Sequence, residues 1–115
     1  MAEAKLSCAF YRNSQGKEPV REWLRSLNKE DRQEIGSDIR TIQRTGSLAR
    51  PTVGAFGRGL YEVRTNSSGK AYRVFFSLRG KTIVLLHGFM KKTQKTPVRE
   101  IETARLRHTQ IEMET

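Results

Sequence analysis

The sequence predicts an α+β fold in which one sheet is covered by two or three helices. Length sets the frame: 115 residues make one domain, residues 1–115, with room for a single core and not for two. Two consecutive amphipathic patterns over residues 19–45 form a helical hairpin, and strand-like segments joined by short turns fill residues 60–90. A proline-started helical pattern closes the chain after Thr96.

Each element has a local reason. Leu6 to Tyr11 is short and apolar, a strand broken by the turn-forming cluster Asn13-Ser14-Gln15-Gly16. Pro19 suits a first helical position, and Val20, Trp23, Leu24 and Leu27 then fall at i, i+3, i+4 and i+7. Asn28 can cap the next helix, with Asp31 in its first turn, Ile35, Ile39 and Ile42 on one stripe and Gly46 as the stop. Trp23 and these isoleucines read as core. Ala49 to Gly59 reads as a connector: its glycines match no phosphate-cradling motif and lie in no strand-to-helix context. Strands follow over Leu60–Thr65, Lys70–Leu78 and Lys81–Met90, with turns at Asn66-Ser67-Ser68-Gly69 and Arg79-Gly80. The last strand is apolar on both faces, as a central or doubly covered strand would be. In the closing helix Val98, Ile101, Ala104 and Ile111 form an apolar stripe, and Leu106 falls off it.

Charge gives the first functional pointer. The formal net charge is +10, and the stretch from Arg58 to Arg99 holds ten basic residues against one acidic residue, Glu62. Cations concentrated on a sheet can hold a polyanion against a rigid surface, so RNA is the first ligand to consider. Strand parity sharpens this. Tyr61 and Val63 share a face, as do Tyr72, Val74, Phe76 and Leu78. A register that buries these sets together puts Glu62, Arg64 and Arg73 on the opposite, polar face, while a one-residue slip would drive Arg73 into the core. Lys91 and Lys92 emerge where the last strand ends, and Lys95 lies just before the closing helix. Two neighbouring arginines with one carboxylate suit a bound phosphate, or a Glu62 that orients one of them.

Other chemistries are excluded or weakened. A lone Cys8 allows neither an internal disulfide nor a cysteine-based zinc site and fits a reducing cytosol. No run approaches the roughly 20 apolar residues of a membrane span, and the polar N-terminus is no signal peptide. The expectation is a cytoplasmic protein without metal or cofactor. His87 reads as a core histidine, because no Asp or Ser partner lies at recognisable spacing, and His108 offers less.

The motifs together carry a family resemblance over nearly the whole chain. Phe10-Tyr11-Arg12, Gly16-Lys17-Glu18-Pro19-Val20 and Trp23-Leu24 resemble the opening of HigB-type toxins of the RelE/ParE superfamily, in its phage-derived host-inhibition-like branch. Gly59-Leu60-Tyr61-Glu62-Val63-Arg64 is similar to a strand of that branch that usually carries leucine where Val63 stands, and Tyr72-Arg73-Val74-Phe75-Phe76 to the next strand. The run from Leu86 to Pro97, with Glu100-Ile101 and Ala104, is the most specific signature.

The resemblance implies a RelE/ParE-like fold, with the helical hairpin packed on an antiparallel sheet and a C-terminal helix. It implies ribosome-dependent cleavage of mRNA, silenced by a cognate helix-turn-helix antitoxin of HigA type. Arg64, Arg73, Lys91 and Lys92 match the basic residues that contact the scissile phosphate in this superfamily; Arg58, Glu62, Lys70 and Lys95 are further candidate RNA-binding residues of this chain. The histidine-plus-carboxylate cluster that some HigB enzymes use is not visible. RNA supplies its own nucleophile, the 2′-hydroxyl, so cleavage needs in-line geometry, charge neutralisation, a base and an acid, and Lys91 or Lys92 could be either. The expected product is a 2′,3′-cyclic phosphate made without a metal. Two other readings keep the fold: a non-catalytic ParE-like inhibitor of DNA gyrase, which needs no converging cations, and a plain RNA-binding module. The latter should interleave exposed aromatics with its cations, and only Phe75 is suitably placed.

Overall fold

A computed structural model, which describes residues 4–114, shows the α+β architecture. The elements run β1 (Ser7–Phe10), α1 (Pro19–Ser26), α2 (Lys29–Thr45), β2 (Val53–Gly57), β3 (Leu60–Ser67), β4 (Lys70–Arg79), β5 (Thr82–Lys91) and α3 (Val98–Met113). The helix signals act where they were read. Pro19 opens α1, the Asn28 side chain accepts a hydrogen bond from the Asp31 backbone N–H at 2.8 Å, and Gly46 ends α2 in a left-handed conformation.

Five strands form one sheet in the order β1-β5-β4-β3-β2. The expected antiparallel sheet is in fact mixed. β1 lies parallel to β5, because the helical hairpin returns the chain so that β2 runs opposite to β1, and the three antiparallel pairings β2–β3, β3–β4 and β4–β5 then bring β5 back to the direction of β1. The connector expected over Ala49–Gly59 contains edge strand β2, which pairs Val53 with Val63 and Gly54 with Glu62. Its glycines hide it from propensity; the free edge of β3 supplies the hydrogen bonds that define it.

The register expected between β3 and β4 holds, with Val63 opposite Val74 and Arg64 opposite Arg73. Val63, Tyr72, Val74 and Phe76 therefore join Val20, Ile35, Ile39 and Ile42 in a core beneath the helical hairpin. Trp23 lies over Gly88, where any Cβ would collide with the indole. Leu78, expected in this core, is exposed at the end of β4.

The opposite face is not the open polar surface that parity alone suggested. Helix α3 covers it, and Leu60, Phe75, Val84, Leu86, Phe89, Ala104 and Ile111 form a second core there, so the single core expected from length is in fact two, one on each face of the sheet. Val98, expected on the buried stripe, is 66 % exposed because the helix only begins there, beyond the edge of the packed face. A β-bulge between Phe75 and Phe76 is the device that builds this second core. Phe75 pairs with His87 and Phe76 with Leu85, so Leu86 is the extra residue. Beyond it the strand's parity reverses, and Phe89 faces α3 although Leu85 faces the hairpin. Burying phenylalanines of this kind contributes roughly 1.5–3 kcal/mol each.

Candidate functional site

Between the exposed edge of this second core and the loop leading to α3 lies a groove of about 440 Å³, lined by Phe56, Glu62, Arg64, Arg73, Lys91, Gln94, Lys95, Thr96 and Ile101. A second concavity, bounded by Ala71, Arg73, Lys91, Lys92, Thr93 and Gln94, shares its Arg73–Lys91–Gln94 wall. The sheet register creates the site. Arg64 and Arg73 are direct cross-strand neighbours, a like-charge pair that would weaken a sheet without compensation.

Glu62 supplies that compensation. Its carboxylate is 2 % exposed, and Oε1 accepts a hydrogen bond from Arg64 Nε at 3.0 Å while Arg73 Nε lies 3.9 Å away. The Arg73 side chain is itself only 13 % exposed and donates from Nη1 to its neighbour's carbonyl, Tyr72 O, at 2.9 Å. Burial lowers the Arg73 pKa, the Glu62 carboxylate pushes it back up, and the Arg64 charge adds to the lowering. A guanidinium stays charged at neutral pH all the same. Glu62 Oε2 is buried without a hydrogen-bond partner among the described residues. Such an atom normally carries a large desolvation penalty unless something binds it.

Gly54 completes this corner. It pairs with Glu62 across β2 and β3, and a Cβ there would overlap the Arg64 guanidinium. The bare backbone lets Arg64 lie flat across the edge strand and reach Glu62. On the far wall Lys91 donates from Nζ to the Gln94 carbonyl at 2.7 Å, and Thr93 closes the loop by donating to Lys95 O at 2.6 Å.

Of the eight sequence candidates, Glu62, Arg64, Arg73, Lys91 and Lys95 line the groove, and Lys92 lines the adjoining concavity. Lys70 does not join them. It lies on the hairpin face, 3.5 Å from Asp31, because it shares parity with Tyr72. Arg58 sits in the β2–β3 turn with φ +55° and lines neither concavity. Phe75, the aromatic singled out for base stacking, is fully buried in the second core. Phe56 lines the groove instead, on a strand whose glycines give it the look of a connector in the sequence.

The expectation that histidine has no carboxylate partner is also overturned. His87 Nε2 lies 2.7 Å from Glu100 Oε1, a residue that α3 brings back across the sheet. Arg107 donates to Leu86 O at 2.8 Å and stands 5.4 Å above the Tyr11 ring, its pKa lowered by burial and raised by Tyr11. Neither His87 nor Glu100 lines the groove, so the pair fastens α3 to the sheet beside it.

Among the described residues no helix is long and apolar enough to cross a membrane. No curated protein matches the chain. Residues 22–109, most of its length and all of the groove, match the family described as Phage derived protein Gp49-like (DUF891). The chain therefore belongs to the Gp49-like family of phage-derived proteins, a toxin–antitoxin-associated family of the RelE/HigB-type group.

Proposed function

We propose that this protein is the toxin of a type II toxin–antitoxin system and a HigB-type, metal-independent endoribonuclease that cuts mRNA on the ribosome and so arrests translation. The observation that carries this reading is the convergence of Arg64, Arg73, Lys91 and Lys95 on one groove around a buried carboxylate. A surface that merely solubilised the protein would not bury a guanidinium to 13 % exposure beside another cation. A non-catalytic gyrase inhibitor has no use for the convergence either.

In this reading the scissile phosphate binds between the two guanidiniums and the lysines. Arg64 and Arg73 neutralise the charge that builds on the phosphorane; one such donor is worth about 10²–10³ in rate. The RNA 2′-oxygen attacks the adjacent phosphorus while its proton passes to unprotonated Lys92 Nζ, on the concavity that shares the Arg73–Lys91 wall. The bond to the 5′-oxygen breaks, Lys91 gives that oxygen a proton, and a 2′,3′-cyclic phosphate and a 5′-hydroxyl remain. The ribosome supplies the in-line geometry that a shallow groove cannot impose alone. The neutralising partner is an acidic or amphipathic chain with a HigA-type helix-turn-helix, and the site of action is the cytoplasm, where the ribosomes are.

The test is expression without the partner. Growth should stop, and primer extension should find discrete mRNA cuts that appear only with ribosomes. Intact mRNA with disturbed DNA topology would replace this reading with gyrase inhibition.

A further inference from the structure

The two joined concavities differ in a way that the phosphate-binding cations do not explain. The one lined by Ala71, Lys92 and Thr93 contains no aromatic residue and nothing apolar larger than alanine, so it offers contacts to a sugar–phosphate backbone alone. The other holds Phe56 and Ile101 beside the cations. Phe56 is half-buried, and its ring is held in place. Its edge-to-face contact with Phe75 has centroids 5.1 Å apart at 77°, and its carbonyl accepts a hydrogen bond from Arg105 Nη2 at 2.6 Å. A pre-ordered aromatic with an open side, next to fixed cations, is the combination that receives a nucleobase attached to a phosphate.

We propose that Phe56, flanked by Ile101, is the platform on which the nucleobase beside the scissile phosphate stacks. The neighbouring concavity carries only the backbone that continues past it. The site is therefore built for single-stranded RNA, and Phe56 holds the base beside the cut whatever its identity, because every base offers a face to stack. This rests on the ribonuclease reading above and adds the subsite for the base.

The experiment compares two probes of equal length and charge at low salt by fluorescence anisotropy: a short single-stranded 2′-O-methyl RNA, which cannot be cleaved, and an abasic ribose–phosphate chain. The wild-type protein should bind the base-bearing probe about tenfold tighter. Phe56→Leu, which keeps the apolar contact with Phe75, should erase that preference and leave abasic affinity unchanged. Phe56→Tyr should retain the preference. Equal wild-type affinity for the two probes, or binding of neither, overturns the platform whatever the variants do. So does a Phe56→Leu protein, folded by circular dichroism, that still prefers the base-bearing probe. None of these results bears on ribosomal mRNA cuts, whose absence is what overturns the ribonuclease reading.

Discussion

Arg73 concentrates the demands placed on single residues here. Its guanidinium lies at the junction of the two concavities, mostly buried, with Glu62 on one side and Arg64 directly opposite on the neighbouring strand. Burial makes it a structural contact, to which the proposed function adds a phosphate to bind. Arg73→Ala should abolish toxicity and also lower stability by about 1–2 kcal/mol, since Glu62 keeps Arg64 as its partner and is not stranded. Arg73→Lys should restore stability more fully than toxicity, because a point charge replaces a planar fork. Growth assays paired with thermal melts check both. A stable, fully toxic Arg73→Ala protein would remove Arg73 from the site. Parity alone had placed this side chain outside any core; the second core beneath α3 could not be seen from the strand pattern.

At the scale of elements, the arginine-bearing β3–β4 hairpin is anchored at its turn by the start of α2. Asp31 is fully buried and accepts hydrogen bonds from Ser67 Oγ at 2.6 Å and Tyr72 Oη at 2.5 Å, with Lys70 Nζ 3.5 Å away. The Ser67 and Tyr72 hydroxyls, in that order, with smaller help from Ser68 and Lys70, hold the Asp31 pKa down to about 2 against the opposing effect of burial. The same hydrogen bond, with burial, pushes Tyr72 up to about 12. A depressed carboxylate binds fewer protons folded than unfolded. Its stabilising contribution is thus complete above the ordinary value of 3.8 and disappears as pH falls toward 2. Tyr72 behaves oppositely, contributing fully below pH 10 and losing that contribution as pH rises through about 12. Melting temperatures between pH 5 and 2 should fall more steeply for wild type than for Asp31→Asn, which should already be less stable at pH 7. Equal slopes would show that Asp31 does not hold the hairpin. Asp31 was visible in the sequence only as a first-turn acid; its hydroxyl partners come from strands more than 30 residues away.

The whole molecule acts through its charge. A formal +10 on 115 residues draws polyanions and acidic chains alike, and both interactions should weaken with salt. If Arg64, Arg73, Lys91 and Lys95 each meet a phosphate, the logarithm of affinity for single-stranded RNA should fall against the logarithm of salt with a slope of about −3. A slope near zero would mean that phosphates are not bound. The neutralising partner should co-purify from the native operon and dissociate more readily as salt rises. A chain that purifies alone from the intact operon and remains harmless would contradict the toxin–antitoxin pairing.

By itself the sequence determined the α+β class, the helical hairpin and its caps, and the β3–β4 register that sets Arg64 beside Arg73. These follow from short-range rules: 3.6-residue and two-residue periodicities, a proline, a capping asparagine and a stopping glycine. Tertiary structure alone decided the edge strand β2, the parallel seat of β1, the bulge at Leu86, the second core under α3 and the pairing of His87 with Glu100. It also separated Lys70 and Arg58 from the groove and brought Phe56 into it. The reason is physical. An edge strand takes its hydrogen bonds from a neighbour, a bulge answers the packing on both faces of a sheet, and a groove exists only where elements distant in sequence meet.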